Sequence, residues 1–266
     1  MDNFFQHKAR KRFGQNFLVD ETIIERIVRA IAPKASDRLV EIGPGHGAIT
    51  KLLLQRCPSL TAVELDRDLI PLLQFKFREY PQFRVIEQDA LKFDFGSFAV
   101  QDALRIVGNL PYNISTPLLF HLLSFKGKVQ DMHFMLQKEV VNRLSATPGT
   151  KAYGRLSVMA QYQCHVQGLF PVPAQSFRPA PKVESAIVRL TPHSTPPFPA
   201  KDEKLLAQIV NTAFQQRRKT LRNALKPLFP ELVAESVPLD ISRRPETLSV
   251  GEFVQLANTC FERNQE

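Results

Sequence analysis

The apolar run Leu39-Val-Glu-Ile42 stops at three glycines on alternate positions, Gly43, Gly45 and Gly47, and a helical pattern follows over 48–56. Four such residues suit a buried strand, and glycine admits backbone angles that a Cβ resists, so the segment reads as strand, tight turn and helix. The rhythm repeats, with strands over 60–65 and 83–86, a helix over 69–80 between them, and a fourth strand over 104–107 that ends at Asn109. Strands that are apolar almost throughout and alternate with helices are covered on both faces, which predicts an α/β fold built on a parallel sheet. Ahead of it, Asp20 caps a helix carrying Ile23, Ile24, Ile27, Val28 and Ile31, and Pro33 ends it.

In open parallel sheets the ligand crevice lies beyond the carboxyl ends of the strands, where strand order reverses. Gly43, Glu64, Asp89 and Asn109 each stand at such an end, in separate elements. The series Glu41-x-Gly43-x-Gly45-x-Gly47 lets main chain approach a nucleotide-like cofactor closely. By itself it leaves S-adenosylmethionine and a dinucleotide both open. The dinucleotide fingerprint is GxGxxG, and here the third glycine comes early, which favours S-adenosylmethionine. Glu64 is placed to accept hydrogen bonds from both ribose hydroxyls, since an ionised carboxylate only accepts. Asp89 is placed either to accept from the cofactor's adenine amino group or to cap the following turn.

The segment Val107-Gly-Asn-Leu-Pro-Tyr-Asn113 names a chemistry. An aromatic amine is a poor nucleophile because its lone pair is shared with the ring. Two acceptors, the Asn109 side-chain oxygen and the Leu110 carbonyl, would hold the amino hydrogens and turn the lone pair toward a methyl donor. Catalysis is then mostly orientation and electrostatics. Pro111 stiffens the turn, Tyr112 offers a ring for stacking a base, and Phe177 can supply the opposite face or serve as a hydrophobic plug. An ordinary strand-ending turn is the alternative for the tetrapeptide, weakened by its position after a glycine-rich motif.

Length and composition set the rest. A chain of 266 residues can bury one good core and carry a second small unit. Thr191 opens a proline-rich stretch, 191–200, after which a helical pattern starts; the expected division is therefore 1–190, a linker at 191–200, and a helical domain at 201–266. Cys57, Cys164 and Cys260 are widely spaced and read as reduced, buried thiols, and the six histidines are scattered, so no metal site is expected. No signal-like segment or membrane-length apolar run is visible, which makes the cytoplasm the expected location.

The formal charge of +9 favours an anionic partner such as nucleic acid. Basic residues gather at Lys8, Arg10, Lys11 and Arg12, at Arg217, Arg218, Lys219 and Arg222, and at Arg243 and Arg244. On one helix, Lys204, Arg218, Lys219, Arg222 and Lys226 would share a face opposite Leu206, Ile209, Val210, Ala213, Phe214 and Leu221. Arg217 falls among the apolar positions, so either the helix breaks near Gln215 or Arg217 reaches a specific partner.

Seven blocks in order give the chain a resemblance to a known family: Lys11-Arg-Phe-Gly-Gln-Asn-Phe-Leu18, Glu41-Ile-Gly-Pro-Gly-His-Gly47, Val63-Glu-Leu-Asp66, Gln88-Asp-Ala90, Asn109-Leu-Pro-Tyr-Asn-Ile-Ser115, Phe177-Arg-Pro-Ala-Pro-Lys-Val-Glu-Ser185 and Gln215-Gln-Arg-Arg-Lys-Thr-Leu-Arg-Asn223. The chain resembles the ribosomal RNA adenine dimethyltransferases, with Ala180 standing where many relatives have a proline. The resemblance implies a class I S-adenosylmethionine-dependent methyltransferase: a Rossmann-like, mostly parallel seven-stranded sheet with a small C-terminal helical domain that contacts RNA. It implies dimethylation of two adjacent adenosines near the 3′ end of 16S ribosomal RNA, within an immature (pre-30S) small subunit, by a monomer without metal, and a role in subunit biogenesis. It carries cofactor contacts onto Asn16, Leu18, Gly43, Glu64, Asp89 and Asn109, with 15–18 as a lid; Asn16 and Leu18 come from the resemblance alone. A related large-subunit RNA enzyme, a DNA adenine enzyme, a non-catalytic assembly factor and a dehydrogenase are the competing readings.

Overall fold

The computed structural model describes residues 16–99, 102–125, 127–230 and 238–263. The chain forms two units, one from the described parts of Met1–Val141 with Gln167–Pro192, the other from Asn142–Val166 with the described parts of His193–Glu266.

The first unit follows the expected rhythm. A short strand, β1 (Phe17–Leu18), leads into helix α1 (Glu21–Ile31), whose N-cap Asp20 accepts from the Ile23 N–H at 3.2 Å. Its Ile24, Ile27, Val28 and Ile31 are buried, and Ala32, at φ 48°, closes it by donating to the Val28 carbonyl. Then come β2 (Arg38–Ile42), α2 (Thr50–Leu54), β3 (Thr61–Glu64), α3 (Leu69–Lys76), β4 (Arg84–Glu87), α4 (Phe95–Phe98), β5 (Leu104–Asn109), α5 (Ser115–Leu123) and β6 (Val129–Gln137). After a departure into the second unit, β7 (Cys164–Val172), β8 (Phe177–Arg178) and β9 (Ser185–Pro192) complete it. The seven-stranded sheet runs β4-β3-β2-β5-β6-β9-β7. Strands β4, β3, β2, β5 and β6 are parallel to their neighbours, and β9 pairs antiparallel with β6. The order reverses between β2 and β5, where Ile42 stands opposite Gly108. The expected mostly parallel, seven-stranded sheet is present.

At the other end of β5 lies a charge that the apolar pattern conceals. Arg105, 7% exposed, donates through Nε to Asp131 Oδ1 at 3.0 Å and through Nη1 to Asp37 Oδ2 at 2.6 Å. Its Nη2 reaches the Ile31 carbonyl at 2.6 Å and Asp131 Oδ2 at 3.0 Å, and Nη1 also meets the Ala32 carbonyl at 3.3 Å. All five guanidinium hydrogens thus have acceptors, two of them carbonyls at the negative end of α1. This cluster ties α1, the approach to β2, β5 and β6 together.

The second unit departs from the expected division. The expectation at 1–190 placed 142–166 with the sheet, but the structure groups that stretch with the C-terminal helices. The chain leaves the sheet within α6 (Lys138–Leu144), and α7 (Arg155–Gln163) packs against α8 (Glu203–Gln215) and α10 (Val250–Arg263). The reason is apolar: Tyr153, Val158 and Tyr162 share one core with Leu206, Ile209, Val210, Phe253 and Leu256. Helix α8 ends at Gln215, and a separate α9 (Leu221–Leu225) begins after Thr220, whose Oγ1 accepts from Asn223 N–H. The single basic helix face expected over 204–226 is therefore broken, although Leu206, Ile209, Val210, Ala213 and Leu221 are buried as the pattern required. All three cysteines are free and buried. No helix among the described residues is long and apolar enough to cross a membrane.

Removing one partner from a buried charge cluster leaves the others uncompensated, at a cost of about 3–5 kcal/mol. Arg105→Met is expected to lower the free energy of unfolding by that order in denaturant titration at neutral pH, and an unchanged midpoint would show the cluster to be incidental.

Candidate active site

The carboxyl ends of β2, β3, β4 and β5 open into a cavity of about 300 Å³ in the first unit. Its lining brings together every expected cofactor and reaction residue: Asn16, Leu18, Gly43, Gly45, Glu64, Asp89, Asn109, Leu110, Tyr112 and Phe177. They come from six separate stretches of chain, which only this topology unites.

The glycine loop has the geometry its composition required. Gly43, Gly45 and Gly47 have φ of 64°, 59° and 76°, all in the left-handed region. Gly43 donates to the Val63 carbonyl at 2.9 Å, which holds the turn to β3, and a Cβ there would find nothing nearer than the Asn109 carbonyl at 3.8 Å. Open space beside a bare main chain at a cavity wall is what a cofactor needs for close approach. At Gly47 a Cβ would stand 2.6 Å from the Phe77 ring, so this glycine serves packing. At Gly45 a Cβ would stand 3.1 Å from the Phe17 ring, so the open main chain is that of Gly43, which with a carboxylate at the next strand end fits a nucleoside-bearing methyl donor.

Glu64 is held more firmly than its sequence position suggested. Its Oε1 accepts from the N–H groups of Leu65 and Asp66, both at 2.8 Å, and Oε2 accepts from Gly45 N–H at 3.3 Å. Burial pushes its carboxyl above the usual range, while these N–H groups pull it down. Asp89 uses Oδ1 to accept from Leu91 N–H at 3.0 Å, a turn contact of the expected kind that leaves Oδ2 for another donor.

Asn109 carries the most informative bond. Its Nδ2 donates to the Asn16 carbonyl at 3.1 Å. A carbonyl can only accept, so the amide nitrogen must face it, and the side-chain oxygen points elsewhere as an acceptor. Leu110 N–H still donates to the Met135 carbonyl at 3.2 Å, so main-chain contact with β6 continues through Leu110 before the loop departs. Ile114 N–H closes a turn on the Pro111 carbonyl, and Ser115 Oγ donates to the Tyr112 carbonyl at 3.2 Å.

Segment 16–18 crosses this site as part of a ribbon: β1 pairs antiparallel with β8, Leu18 opposite Phe177. Val19 N–H donates to the Ser176 carbonyl, Ser176 Oγ to Asp20 Oδ2, and the Phe17 ring meets the His46 ring edge-on with centroids 4.0 Å apart. Phe177 is 1% exposed and belongs to the core as well as to the cavity wall, so it plugs and lines at once.

Sequence reasoning quoted Glu41 and Gly108 within motifs but gave neither a role of its own. Glu41, 2% exposed, accepts from Thr50 Oγ1 at 2.7 Å inside the cavity wall. Its place in an apolar strand four residues before Gly45 was the signal. Among the basic candidates, Arg218, Lys219 and Arg222 are exposed. Arg217 donates to the carbonyls of Lys151 at 2.7 Å and Thr150 at 3.4 Å, so both readings of its odd position hold: the helix ends first, and the guanidinium has a specific partner. Arg243 is bound to Glu252 and the Thr247 carbonyl. Lys8, Arg10, Lys11 and Arg12 lie outside the described residues. Among those described, no group of three or more His, Cys, Asp or Glu could hold a metal ion.

Comparison with known proteins agrees with this geometry. The profile of the family described as "Ribosomal RNA adenine dimethylase" matches residues 6–261. A "Ribosomal RNA small subunit methyltransferase A" of Saccharophagus degradans is 63% identical over 256 residues, covering 96% of each chain. A dimethyladenosine transferase from Plasmodium falciparum superposes with a TM-score of 0.76 at 26% identity, over 94% of this chain and 98% of that one. The 23S rRNA methyltransferase ErmE gives 0.73 at 23% identity, over 94% and 100%, which is likeness of fold.

Burial raises the Glu41 carboxyl to about 7, against the Thr50 hydrogen bond that lowers it. A raised folded-state value favours the protonated form, so stability is fully present below the unfolded-state value and declines as pH rises toward 7. The loss is about 3 kcal/mol above that. Glu41→Gln, neutral throughout and still able to accept from Thr50, is expected to stabilise the cofactor-free protein at pH 8 and hardly at pH 5. Equal effects at both would refute the assignment.

Proposed function

The chain belongs to the ribosomal RNA adenine dimethylase family, and from that premise we propose that it dimethylates the 6-amino groups of two adjacent adenosines near the 3′ end of 16S ribosomal RNA in the immature small subunit. The observation that carries this reading is the orientation of Asn109, whose nitrogen is committed to Asn16 and whose oxygen is left to accept in a cavity shared with the glycine loop.

S-adenosylmethionine, when bound, supplies a methyl group on a positively charged sulfur. The chain's own residues do the rest. Gly43 admits the donor against bare main chain and Gly45 lines the same wall, Glu64 takes the ribose hydroxyls, Asp89 takes the adenine amino group through its remaining oxygen, and Asn16 and Leu18 cover it. Asn109 Oδ1 and the Leu110 carbonyl accept the two hydrogens of the target amine, which favours a tetrahedral nitrogen with its lone pair out of the ring plane. Tyr112 and Phe177 stack on the target base. With the donor bound, the nitrogen lone pair would form the bond to the methyl carbon, the S–C pair would stay on sulfur, and the nitrogen's excess proton would pass to water after transfer, so no strong base has to act first.

Adenosines inside folded RNA must be splayed out to reach such a site, and phosphate contacts hold the rest. The exposed Arg218, Lys219 and Arg222 of the helical unit support this role, with Lys8, Arg10, Lys11 and Arg12 as further candidates. Arg217 acts within the unit by holding the 150–151 carbonyls. The protein works on this reading as a monomer in the cytoplasm, where small subunits mature. The high identity to a small-subunit enzyme favours this target over large-subunit RNA.

Asn109→Ala is expected to lower turnover on immature small subunits by about 10²- to 10³-fold, measured as dimethyladenosine by mass spectrometry. Undiminished turnover would dismiss the two-acceptor grip. Reversing charge at Arg218 and Arg222 together is expected to weaken subunit binding by about tenfold or more at moderate salt, with donor affinity preserved. Parallel losses in both affinities would count against an RNA-facing role.

A further inference from the structure

Ser185 carries no role in the reading above. It is 1% exposed, it opens β9, and its main chain lies opposite Gln137 in the sheet. Its Oγ stands 3.0 Å from the hydroxyl of Tyr112. The neighbouring Glu184 carbonyl accepts from Lys138 N–H at 2.9 Å, so the strand start is fixed to the sheet. A buried serine with its hydroxyl on the tip of a half-buried ring in the cavity wall is a tether from a sheet strand to the loop after β5.

The physics of the phenol makes this bond directional. The torsion that turns an aromatic ring about its own axis is broad and intrinsically soft. Fixing the hydroxyl fixes that axis in space. Conjugation keeps the phenolic O–H, and the oxygen lobe that accepts opposite it, near the ring plane, so a hydrogen bond in either direction also favours one plane for the ring. An anchored Tyr112 therefore presents its face in one orientation without having to be ordered when a base arrives, which lowers the entropic cost of reaching a reactive geometry.

We infer that Ser185 is a positioning residue for the methyl transfer: through its hydrogen bond to the Tyr112 hydroxyl it sets the plane against which the target adenine stacks. It acts on the base and leaves the donor alone, since Oγ touches Tyr112 and Ser185 does not line the cavity. The ring itself supplies contact area, whereas the tether supplies orientation. The inference rests on the proposal that Tyr112 stacks on the target base.

The test is a double-mutant cycle on the full-length protein with immature small subunits and labelled S-adenosylmethionine, together with calorimetric donor binding and thermal unfolding. Ser185→Ala and Tyr112→Phe each remove one end of the same bond and are each expected to lower kcat by about tenfold, because the ring order that the free protein supplies would have to be regained in each reactive complex. The donor's Kd and KM stay within about twofold in both, since neither variant touches the donor cradle. The double variant is expected to be no slower than the slower single one. Multiplying losses would overturn the inference, because Ser185 would then act other than through Tyr112. So would a rise in donor Kd that matches the fall in kcat. If Ser185→Ala fails to fold, Tyr112→Phe carries the test alone, and wild-type kcat there would overturn it. Tyr112→Ala separates the two levels. Wild-type kcat in that variant would remove the stacking proposal itself, and with it the inference. A deep loss there combined with wild-type kcat in Tyr112→Phe and Ser185→Ala would keep stacking and discard the tether.

Discussion

The site depends on how closely two parallel strands run at the point where the sheet changes direction. Gly108 of β5 lies opposite Ile42 of β2, and a Cβ at Gly108 would stand 2.6 Å from the Ile42 carbonyl oxygen. No side chain fits there, and this lack lets the last residues of the two strands, one leading into the glycine loop and the other into Asn109, emerge side by side. The glycine loop and the loop that begins at Asn109 are thereby set against each other by backbone pairing, a stiff spacer. A reaction that needs its two partners aligned to within a fraction of an ångström gains most from such a spacer.

Strand β5 divides its labour along its length. Arg105, near its start, is saturated with acceptors and ties α1, β2 and β6 to it. Asn109, at its end, keeps one acceptor open toward the cavity. A fully satisfied polar group rigidifies, and a partly satisfied one recognises. Saturation at one end and an open valence at the other lie only a few residues apart, so what stiffens the sheet also holds the reactive end in place.

Much of this was legible in the sequence because four strands announced themselves by runs ending at or near a residue proposed for the site. Gly43, Glu64, Asp89 and Asn109 all fell at carboxyl ends, and the parallel sheet brought them to one cavity. The pattern could not show what depends on partners distant in sequence. Arg105 sits in an apolar strand and looks like an outlier until Asp37 and Asp131 are beside it. Residues 142–166 show no change of composition at either edge, so their membership in the helical unit emerges only from the core they share with α8 and α10. The break after Gln215 could be suspected from Arg217, the one basic residue on an apolar stripe. Its partners, two main-chain carbonyls, leave no trace in sequence at all.

Two side chains of the loop over 109–112 are anchored outside it, at segments far apart in the chain. The amide nitrogen of Asn109 is held by the carbonyl of Asn16, and the hydroxyl of Tyr112 by Ser185. Those two anchors are themselves joined, because β1 pairs with β8 and the proline-rich loop runs from β8 to β9. The chain thus closes a ring around the reaction loop: segment 16–18, then 177–185, then Tyr112, Asn109 and back to 16. On the proposed mechanism each anchor uses the polar atom that the chemistry does not need, the nitrogen of the amide and the tip of the phenol, which would leave the oxygen of the amide and the face of the ring for the substrate, with orientation paid for during folding and not at each turnover.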